Sequence, residues 1–429
     1  MPEYARAASH ARLPHVPLVN RLTRKSTSPT SSYAAPVAGA AERRRVLLLL
    51  EDLGGGTGNH VCRMVARWSA EGWHVVVVTQ RPPLVRQLPR GVDVRVVDSA
   101  GWYDRFPLAQ MRRLFALWRL VRSLRPDVVH TYFFWSIIYG RILKAVGAVP
   151  LLVENREDLG FSWGAGAYFA LRVTRRVPDR VICVAEAVRA VALERERADA
   201  SRTTVIHNGV ESGSRQSSRR DAARRKLGFA PEHVVIGMVA NLPRAVKGGS
   251  RLLDVVGAIV AEVPNARFLL VGVGTERATL EPELHARGIS DVVVGVGYRP
   301  DVEACYAAMD ISVLTSTSEG LSMTLLESMR HGLPTVVTRV GGNPELVVEG
   351  VTGFLVPVSE MGTFVQRVVT LAQDAELRRA FGEAGRRRVA QHFSIGDVAR
   401  RYLTIYAELQ GAGPDRDRRR VEHSQVLGR

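Results

Sequence analysis

Short apolar runs alternate with longer amphipathic stretches along most of the chain. The runs predict one series of strands at 46–50, 75–79, 92–97, 128–130, 151–153, 180–184 and 204–206, and a second at 234–240, 267–271, 292–296, 311–314 and 335–338. Runs of this length separated by helical stretches are typical of parallel strands buried on both faces. The pattern therefore predicts an α/β protein with two doubly wound, Rossmann-like domains.

Three segments lack this periodicity and divide the chain. The two ends mix polar and basic residues, and we expect both to be disordered. A stretch rich in Ser, Arg and Ala predicts a connector with at least one helical turn. The predicted parts are an extension at 1–42, an N-terminal domain at 43–210, the connector at 211–232, a C-terminal domain at 233–392, an amphipathic closing helix at 393–410 and a tail at 411–429.

Composition limits the possible partners. The net charge of +17 comes almost entirely from arginine, since the only lysines are Lys25, Lys144, Lys226 and Lys247. No nucleic-acid recognition motif accompanies this charge, so we favour anionic substrates and an anionic bilayer surface over nucleic acid. The three cysteines, Cys62, Cys183 and Cys305, have no metal or redox spacing, and the chain has no spanning or secretory pattern. We expect a cytoplasmic protein, with the inner face of the cytoplasmic membrane as an alternative location.

Two acids flank a predicted helix start between residues 316 and 357. Glu319 follows the apolar run at 310–314, so it lies at the carboxyl end of a parallel strand, where such folds bind ligands. Ser322 is a suitable N-cap, and Glu327 lies about 7.5 Å further along the helix axis at about 1.5 Å per residue. A carboxylate at that position can accept both hydroxyls of a ribose, while the N–H groups of the helix start face a diphosphate. Met323, Leu325, Leu326 and Met329 are predicted to face the sheet, and Gly332 and Pro334 to end the helix.

This segment resembles the E-x7-E motif of the retaining GT-B glycosyltransferases and is most similar to glycosyltransferase family 4. The nearby V-G-G-N-P-E and G-V-T-G-F-L-V-P segments add to the resemblance. The resemblance implies a GT-B fold, in which two Rossmann-like domains face a cleft and the closing helix returns to the first domain. It also implies that Glu319 contacts the donor sugar, that the backbone of Gly320, Leu321 and Ser322 contacts sugar and phosphate, and that Glu327 holds the ribose.

Two cations follow the first strand of the second series. Arg244 and Lys247 lie in N-L-P-R-A-V-K-G, where they can clamp a diphosphate and stabilise the charge that grows as it leaves. The family has a similar N-L-R-P-V-K-G segment, but Pro243 precedes the arginine here, so the direction of Arg244 stays open and Lys247 is the firmer assignment. A solvated charge pair is the alternative. Gly272 and Gly274 resemble the G-x-G turn that lies near the nucleotide in the family, with a simple tight turn as the alternative.

The first series carries the predicted acceptor side. The glycine run at 54–58 permits close backbone approach, and the resemblance places Gly56 and Gly58 near the donor phosphates and the acceptor. No acid ends the next strand, which disfavours nicotinamide binding. His130 ends another strand in a D-V-V-H-T element like that of the family, so we expect it at the cleft edge, with a structural histidine as the alternative.

Residues 154–161 follow the predicted strand at 151–153 and resemble the R-R-D-L-G-F segment of some family 4 members. We expect a charged loop that faces the acceptor, although Arg156 and Asp158 could equally form a salt bridge at the rim. Asp415 and Asp417 imitate a D-x-D metal motif, but they lie in the basic tail without a strand, and we predict no metal.

An amphipathic segment at 111–124 has arginines around its apolar face. A basic amphipathic helix can lie on an acidic membrane, yet a helix that covers a parallel sheet shows the same pattern. We favour sheet packing, with the arginines within reach of lipid headgroups. The apolar face consists of Met111, Leu114, Phe115, Trp118 and Val121.

Together these features predict a retaining, metal-independent hexosyltransferase that uses a UDP- or GDP-sugar as co-substrate and no other cofactor. The expected acceptor is a glycan or a lipid-linked molecule in surface polysaccharide or glycoconjugate synthesis. Lys247 and Arg244 would stabilise the leaving diphosphate, and His130 would assist at the acceptor side. The alternatives are another GT-B enzyme, such as an epimerase or a phosphorylase, and a non-catalytic sensor of nucleotide sugars. Donor, acceptor and oligomeric state stay open.

Overall fold

The computed structural model describes residues 44–51, 53–79, 88, 92–97, 107–160, 163–213 and 217–411. The predicted extension at 1–42 and nearly all of the tail at 411–429 therefore lie outside the described residues.

Seven parallel strands form the first sheet, in the order β3-β2-β1-β4-β5-β6-β7. The strands are β1 (Arg45–Leu50), β2 (His74–Thr79), β3 (Asp93–Val96), β4 (Val128–Thr131), β5 (Leu152–Arg156), β6 (Arg180–Cys183) and β7 (Thr203–Val205). The helices between them are α1 (Gly55–Ala70), α2 (Pro107–Leu124), α3 (Phe134–Ala145), α4 (Ala165–Val173) and α5 (Glu186–Glu194).

Six parallel strands form the second sheet, in the order β10-β9-β8-β11-β12-β13. The strands are β8 (Val234–Val239), β9 (Ala266–Val271), β10 (Val293–Gly295), β11 (Ile311–Leu314), β12 (Thr335–Thr338) and β13 (Gly353–Val356). The helices are α6 (Ser217–Leu227), α7 (Gly249–Glu262), α8 (Arg277–Ala286), α9 (Val302–Ala308), α10 (Met323–Arg330), α11 (Asn343–Leu346), α12 (Met361–Gln373), α13 (Ala375–His392) and α14 (Ile395–Gly411).

Both sheets have the strand order of a Rossmann fold. In each, the chain starts near the centre, moves to one edge and then returns to the opposite side of the first strand. This reversal leaves a crevice at the carboxyl ends of the two central strands, which are β1 and β4 in the first sheet and β8 and β11 in the second. The predicted α/β class with two Rossmann-like domains is confirmed.

Alternate residues of the central strand β1 face opposite layers of helices. Leu48 and Leu50 join the core formed with α1 and α14, whereas Leu47 and Leu49 join the core formed with α2 and α3. A strand that is buried on both faces reads as a continuous apolar run, which is why this strand was recognisable in the sequence.

Helix α2 buries less of its apolar surface than the sequence indicated. Leu117 and Val121 face the core, but Met111, Phe115 and Trp118 are 65%, 58% and 36% exposed. The predicted packing on the sheet therefore holds for Leu114 and Val121 but not for Met111, Phe115 and Trp118. The helix has a second apolar stripe that points outward.

The predicted connector at 211–232 contains a helix that belongs to the second domain. Helix α6 packs against α9, and two of its arginines, Arg220 and Arg224, bind the carboxylate of Asp310 just before β11. Ala223 and Phe229 lie in the same apolar core as β9. These contacts anchor the segment on the second sheet.

The last helix, α14, packs on the first domain. The ring of Trp68 on α1 lies 5.8 Å from that of Tyr402 and 5.6 Å from that of Tyr406, between ring centroids. The indole N–H of Trp68 donates to the carbonyl of Ala399 at 3.2 Å. This aromatic cluster joins the chain's last described helix to its first.

Replacing Trp68 should therefore destabilise the protein strongly. Trp68 is fully buried, so we expect Trp68→Ala to lower the free energy of unfolding by about 3–5 kcal/mol, as for other large-to-small core changes. Trp118→Ala, at the exposed stripe of α2, is the matched control and should change it by less than about 0.5 kcal/mol. Thermal melts of both variants test this, and equal losses of melting temperature would contradict the packing described here.

Candidate active site

The loops after β8 and β11 meet at the crevice of the second sheet, because these two strands are neighbours. Lys247 lies on the loop after β8, and its Nζ donates to both carboxylate oxygens of Glu319 at 2.9 and 2.8 Å. Ser316 donates its hydroxyl to Glu319 Oε1 at 2.7 Å. Glu319 is buried, so its charge is compensated by a lysine and a serine that come from two strand ends.

The helix after this loop begins as the sequence indicates. Ser322 is the N-cap of α10, and its side chain accepts a hydrogen bond from the N–H of Leu325 at 3.3 Å. Gly332 follows the helix with a φ of 70°, a conformation that favours glycine. The predicted cap and stop are confirmed, and so is the burial of Met323, Leu325, Leu326 and Met329.

Glu327 is buried on α10 and is held by two residues that the sequence did not point to. Arg63 on α1 of the first domain donates Nη2 to Glu327 Oε1 at 3.2 Å, and the hydroxyl of Tyr306 donates to Oε2 at 3.2 Å. Burial, and then the charge of Glu327, raise the pKa of Tyr306 well above its ordinary value, so the phenol keeps its proton. Neither residue belongs to a recognisable motif.

Backbone segments approach one another closely around Gly320. The N–H of Gly342 donates to the carbonyl of Gly320 at 2.8 Å. A Cβ on Gly341, which has a φ of 49°, would lie 1.7 Å from the carbonyl oxygen of Glu319. A Cβ on Gly320 would lie 2.0 Å from the carbonyl oxygen of Glu157 in the first domain. Only glycine permits the close contacts at Gly341 and Gly320, and the contact at Gly320 brings the first domain against the loop of Glu319.

The segment predicted as a charged loop at 154–161 divides into a strand end and a shorter loop. Strand β5 continues to Arg156, whose buried guanidinium donates to Glu196 at 2.8 Å and to Glu154 at 3.0 Å. The proposed rim salt bridge between Arg156 and Asp158 is therefore wrong. Asp158 instead accepts the N–H of Gly160 at 2.6 Å.

Glu157 presents a partly buried carboxyl group beside the loop of Glu319. Asn155 donates to it at 2.5 Å and Thr57, on the first turn of α1, donates at 3.2 Å. Burial raises the pKa of Glu157 to about 7, although the hydrogen bonds from Asn155, Thr57 and Asn208 act in the opposite direction. The sequence included this residue in a candidate loop but gave no reason to select it.

His130 does not lie at the cleft edge, so that prediction is wrong. The ring is fully buried, with Nδ1 2.6 Å from the hydroxyl of Tyr406 and Nε2 3.3 Å from Oδ1 of Asn155. Burial lowers the pKa of His130 to about 3, which keeps the imidazole neutral. Tyr402 and Tyr406 of α14 lie beside the imidazole, with ring centroids 5.6 and 5.9 Å from that of His130. A catalytic role for His130 stays a prediction, without access to a ligand in this structure.

Arg244 is exposed in the loop after β8 and faces the first domain. Burial raises the pKa of Asp158, and the positive charge of Arg244 is among the influences that oppose this shift.

Gly272 and Gly274 have φ values of 131° and 82°. A Cβ on Gly272 would lie 2.1 Å from the carbonyl oxygen of Ala240, and a Cβ on Gly274 would lie 2.7 Å from Pro243 Cδ. Both glycines are thus required by the backbone, and their contact with a nucleotide stays a prediction.

The glycine run at 54–58 is not a loop, because α1 already begins at Gly55. A Cβ on Gly56 would lie 2.8 Å from Met323 Cβ, and one on Gly58 would lie 2.0 Å from the carbonyl oxygen of Leu53. Gly56 therefore lets α1 approach α10 across the cleft. Contact of either glycine with a ligand stays a prediction.

The described residues contain neither a metal-binding cluster nor a helix that could span a membrane. Among the residues that the structure describes, no group of three or more His, Cys, Asp or Glu side chains is arranged to hold a metal ion, and Asp415 and Asp417 lie outside them. Within the same ranges, no helix has both the length and the apolar character to cross a bilayer.

Comparisons with known proteins agree with this architecture. The profile of the family described as Glycosyltransferase Family 4 matches residues 54–213, and that of Glycosyl transferases group 1 matches residues 219–388. The chain is 28% identical over 388 residues to D-inositol 3-phosphate glycosyltransferase from Thermobispora bispora. The aligned region covers 82% of this chain and 90% of that protein. It is 32% identical over 186 residues to N-acetyl-alpha-D-glucosaminyl L-malate synthase from Bacillus anthracis, which covers 43% of this chain and 48% of that protein.

Solved structures share the fold over most of their length. Anabaena HepE in complex with UDP superposes with a TM-score of 0.70 at 22% identity, covering 85% of this chain and 100% of that one. Sucrose-phosphate synthase from Thermosynechococcus elongatus superposes with a TM-score of 0.72 at 21% identity, covering 86% and 100%. Since the two family profiles account for both domains and these structures share the fold, the chain belongs to the family 4 glycosyltransferases with the GT-B fold.

Proposed function

We propose that the protein transfers a hexose from a UDP- or GDP-sugar to a glycan or lipid-linked acceptor, with retention at the anomeric carbon and without a metal. The observation that carries this proposal is the pairing of Lys247 with Glu319 at the crevice of the second sheet, with Glu327 on the following helix. The structure of Anabaena HepE contains bound UDP. A relative from Escherichia coli, 24% identical over 318 residues, is named a UDP-Gal:alpha-D-GlcNAc-diphosphoundecaprenol galactosyltransferase.

On the donor side, Lys247 and Arg244 offset the charge of the diphosphate. In the proposed reaction the bond between the anomeric carbon and the phosphate oxygen breaks, and the acceptor oxygen bonds to the same face of that carbon. The acceptor's proton passes to the departing phosphate. Glu319, whose oxygens are already bound by Lys247 and Ser316, orients the sugar and is not a covalent nucleophile.

On the acceptor side, Glu157 is the group we assign to an acceptor hydroxyl. Its backbone carbonyl lies against Gly320, so the residue lies beside the loop that would hold the sugar. The raised pKa means that it can accept or donate a hydrogen bond near neutral pH. We therefore assign to Glu157 the acceptor-side role that the sequence analysis assigns to His130.

The outer helices of the first domain support contact with an anionic membrane. Helices α2, α3 and α4 contain no Asp or Glu. The ring of Trp118 stacks on Phe115 with centroids 5.8 Å apart, and the guanidinium of Arg122 lies 5.7 Å from the Trp118 ring centre. Apolar rings flanked by arginines are the combination that binds acidic lipid surfaces. The other exposed apolar residues of these helices and their ends are Trp135, Ile142, Val146, Phe169 and Val173.

The donor assignment predicts both binding and turnover. At about 100 times its dissociation constant, a UDP- or GDP-sugar should stabilise the wild-type protein by about 2.7 kcal/mol in a thermal-shift assay. Lys247→Ala should lower turnover about 10²–10³-fold, the usual cost of removing one charge-stabilising donor. Lys144→Ala is the matched control, because Lys144 also pairs with a carboxylate, that of Asp179, and should keep full turnover.

Three outcomes would count against this assignment. If no nucleotide sugar raises the melting temperature and Lys247→Ala retains activity, the donor site is wrong. Binding without any turnover would favour a sensor. Anomeric NMR of the product tests retention, and an inverted linkage would exclude that part of the proposal.

The position of Glu157 predicts a pH effect on stability. Between about pH 4.5 and pH 7 the folded state keeps a proton that the unfolded state gives up, so this residue lowers stability as pH rises through that window. Glu157→Gln has nearly the same shape and does not titrate. The melting temperature of Glu157→Gln minus that of wild type should therefore increase from pH 5 to pH 8. Glu194→Gln, on the exposed surface of α5, should show no such trend; a trend in both variants, or in neither, would contradict the assignment.

The membrane assignment predicts vesicle binding that needs both charge and aromatic rings. Wild-type protein should sediment with phosphatidylglycerol vesicles and much less with phosphatidylcholine vesicles. Phe115→Ser combined with Trp118→Ser should weaken the partitioning at least about 10-fold, because each buried aromatic side chain contributes about 1.5–3 kcal/mol. Tyr298→Ser, an exposed aromatic change in the second domain, should leave it unchanged. Equal binding to both lipids would refute the charge argument.

A further inference from the structure

Arg63, on α1 of the first domain, reaches the carboxylate of Glu327 on the second domain, the group to which we assign the ribose. Its Nη2 donates to Glu327 Oε1 at 3.2 Å, and its side chain is 26% exposed. The second terminal nitrogen, Nη1, is buried and has no hydrogen-bond partner among the described residues. A buried guanidinium N–H without a partner is costly, so this site favours a ligand group that can accept a hydrogen bond from Nη1.

The acceptor positions of Glu327 show what that group can be. A carboxylate offers about four acceptor positions. Arg63 and Tyr306 use two of them, one on each oxygen. Two positions remain, which matches the two hydroxyl donors of a ribose. Each hydroxyl oxygen can itself accept a hydrogen bond, and Nη1 is a free donor on the same guanidinium that holds Glu327.

We propose that Arg63 is a donor-binding residue contributed by the first domain: Nη2 stays on Glu327 while Nη1 donates to a hydroxyl oxygen of the nucleotide's ribose. This inference rests on the proposed function, because it requires a nucleotide at Glu327. The ribose is then bound by one residue from each domain.

The contact makes donor binding depend on the approach of the two domains. Helix α1 can come this close to α10 because Gly56 has no side chain against Met323. One turn further along α1, Arg67 binds Glu211 at the surface and does not reach α10. Arg63 and Arg67 lie on the same helix, carry the same charge and each pair with a glutamate. They differ in position, because Arg63 contacts α10 and Arg67 lies at the surface.

The test compares UDP, GDP and ADP first, and then uses whichever the wild-type protein binds most tightly. We expect Arg63→Ala to weaken that nucleotide at least about 10-fold in isothermal titration calorimetry, the usual cost of losing a hydrogen bond to a charged group. A purely structural role would not alter recognition of one hydroxyl. The decisive measurement therefore compares the affinity for the nucleotide with the affinity for its 2′-deoxy and 3′-deoxy forms. For one of the two deoxy forms, the factor by which affinity falls should be at least about 5-fold smaller in Arg63→Ala than in wild type.

Two further variants keep the result interpretable. Arg67→Ala should leave affinity and hydroxyl discrimination as in wild type. Arg63→Lys keeps the charge but lacks the planar fork, so it should restore the melting temperature without restoring the discrimination, even if Arg63→Ala does not fold. The inference would be overturned if Arg63→Ala bound the nucleotide as tightly as wild type or more tightly. It would also be overturned if both deoxy forms lost the same affinity in Arg63→Ala as in wild type. Either result would leave the proposed function intact. If wild type binds no nucleoside diphosphate, the proposed function fails and this inference fails with it.

Discussion

The ion pair between Lys247 and Glu319 joins the two strand ends that form the crevice of the second sheet. A buried carboxylate is stable only when a positive charge and hydrogen bonds replace water, and here Lys247 and Ser316 supply both. The pair fixes the loop after β11 before any ligand arrives. It also keeps a cation at the place where a diphosphate would develop charge, so one contact serves both folding and the proposed chemistry.

The first domain completes this site through close backbone contacts rather than through a motif of its own. Gly320 and Gly56 let the loop after β5 and the start of α1 lie directly against the second domain. Glu345 adds a second connection, since it accepts the N–H groups of Glu186 and Ala187 at the start of α5. Side chains larger than glycine at the first two positions would separate surfaces that the site needs together.

The sequence predicted the fold and the second-domain loop well because both depend on local patterns. Apolar runs marked the strands, and Ser322 marked the start of α10, as the structure confirms. Contacts between distant residues carry no such local signal. The burial of His130 under α14, the pairing of Arg156 with Glu196, and the reach of Arg63 to Glu327 each join segments that are far apart in the chain. His130 was expected at the cleft edge and Arg156 on a loop that faces the acceptor, and the tertiary structure buries both side chains instead.

A crystal structure of the protein with a bound nucleoside diphosphate is the most direct test of the central claim, that one cleft between the domains holds the donor. We expect the diphosphate within hydrogen-bonding distance of Lys247 Nζ and the ribose hydroxyls on the carboxylate of Glu327. A nucleotide bound elsewhere, or bound with its ribose away from Glu327, would contradict it.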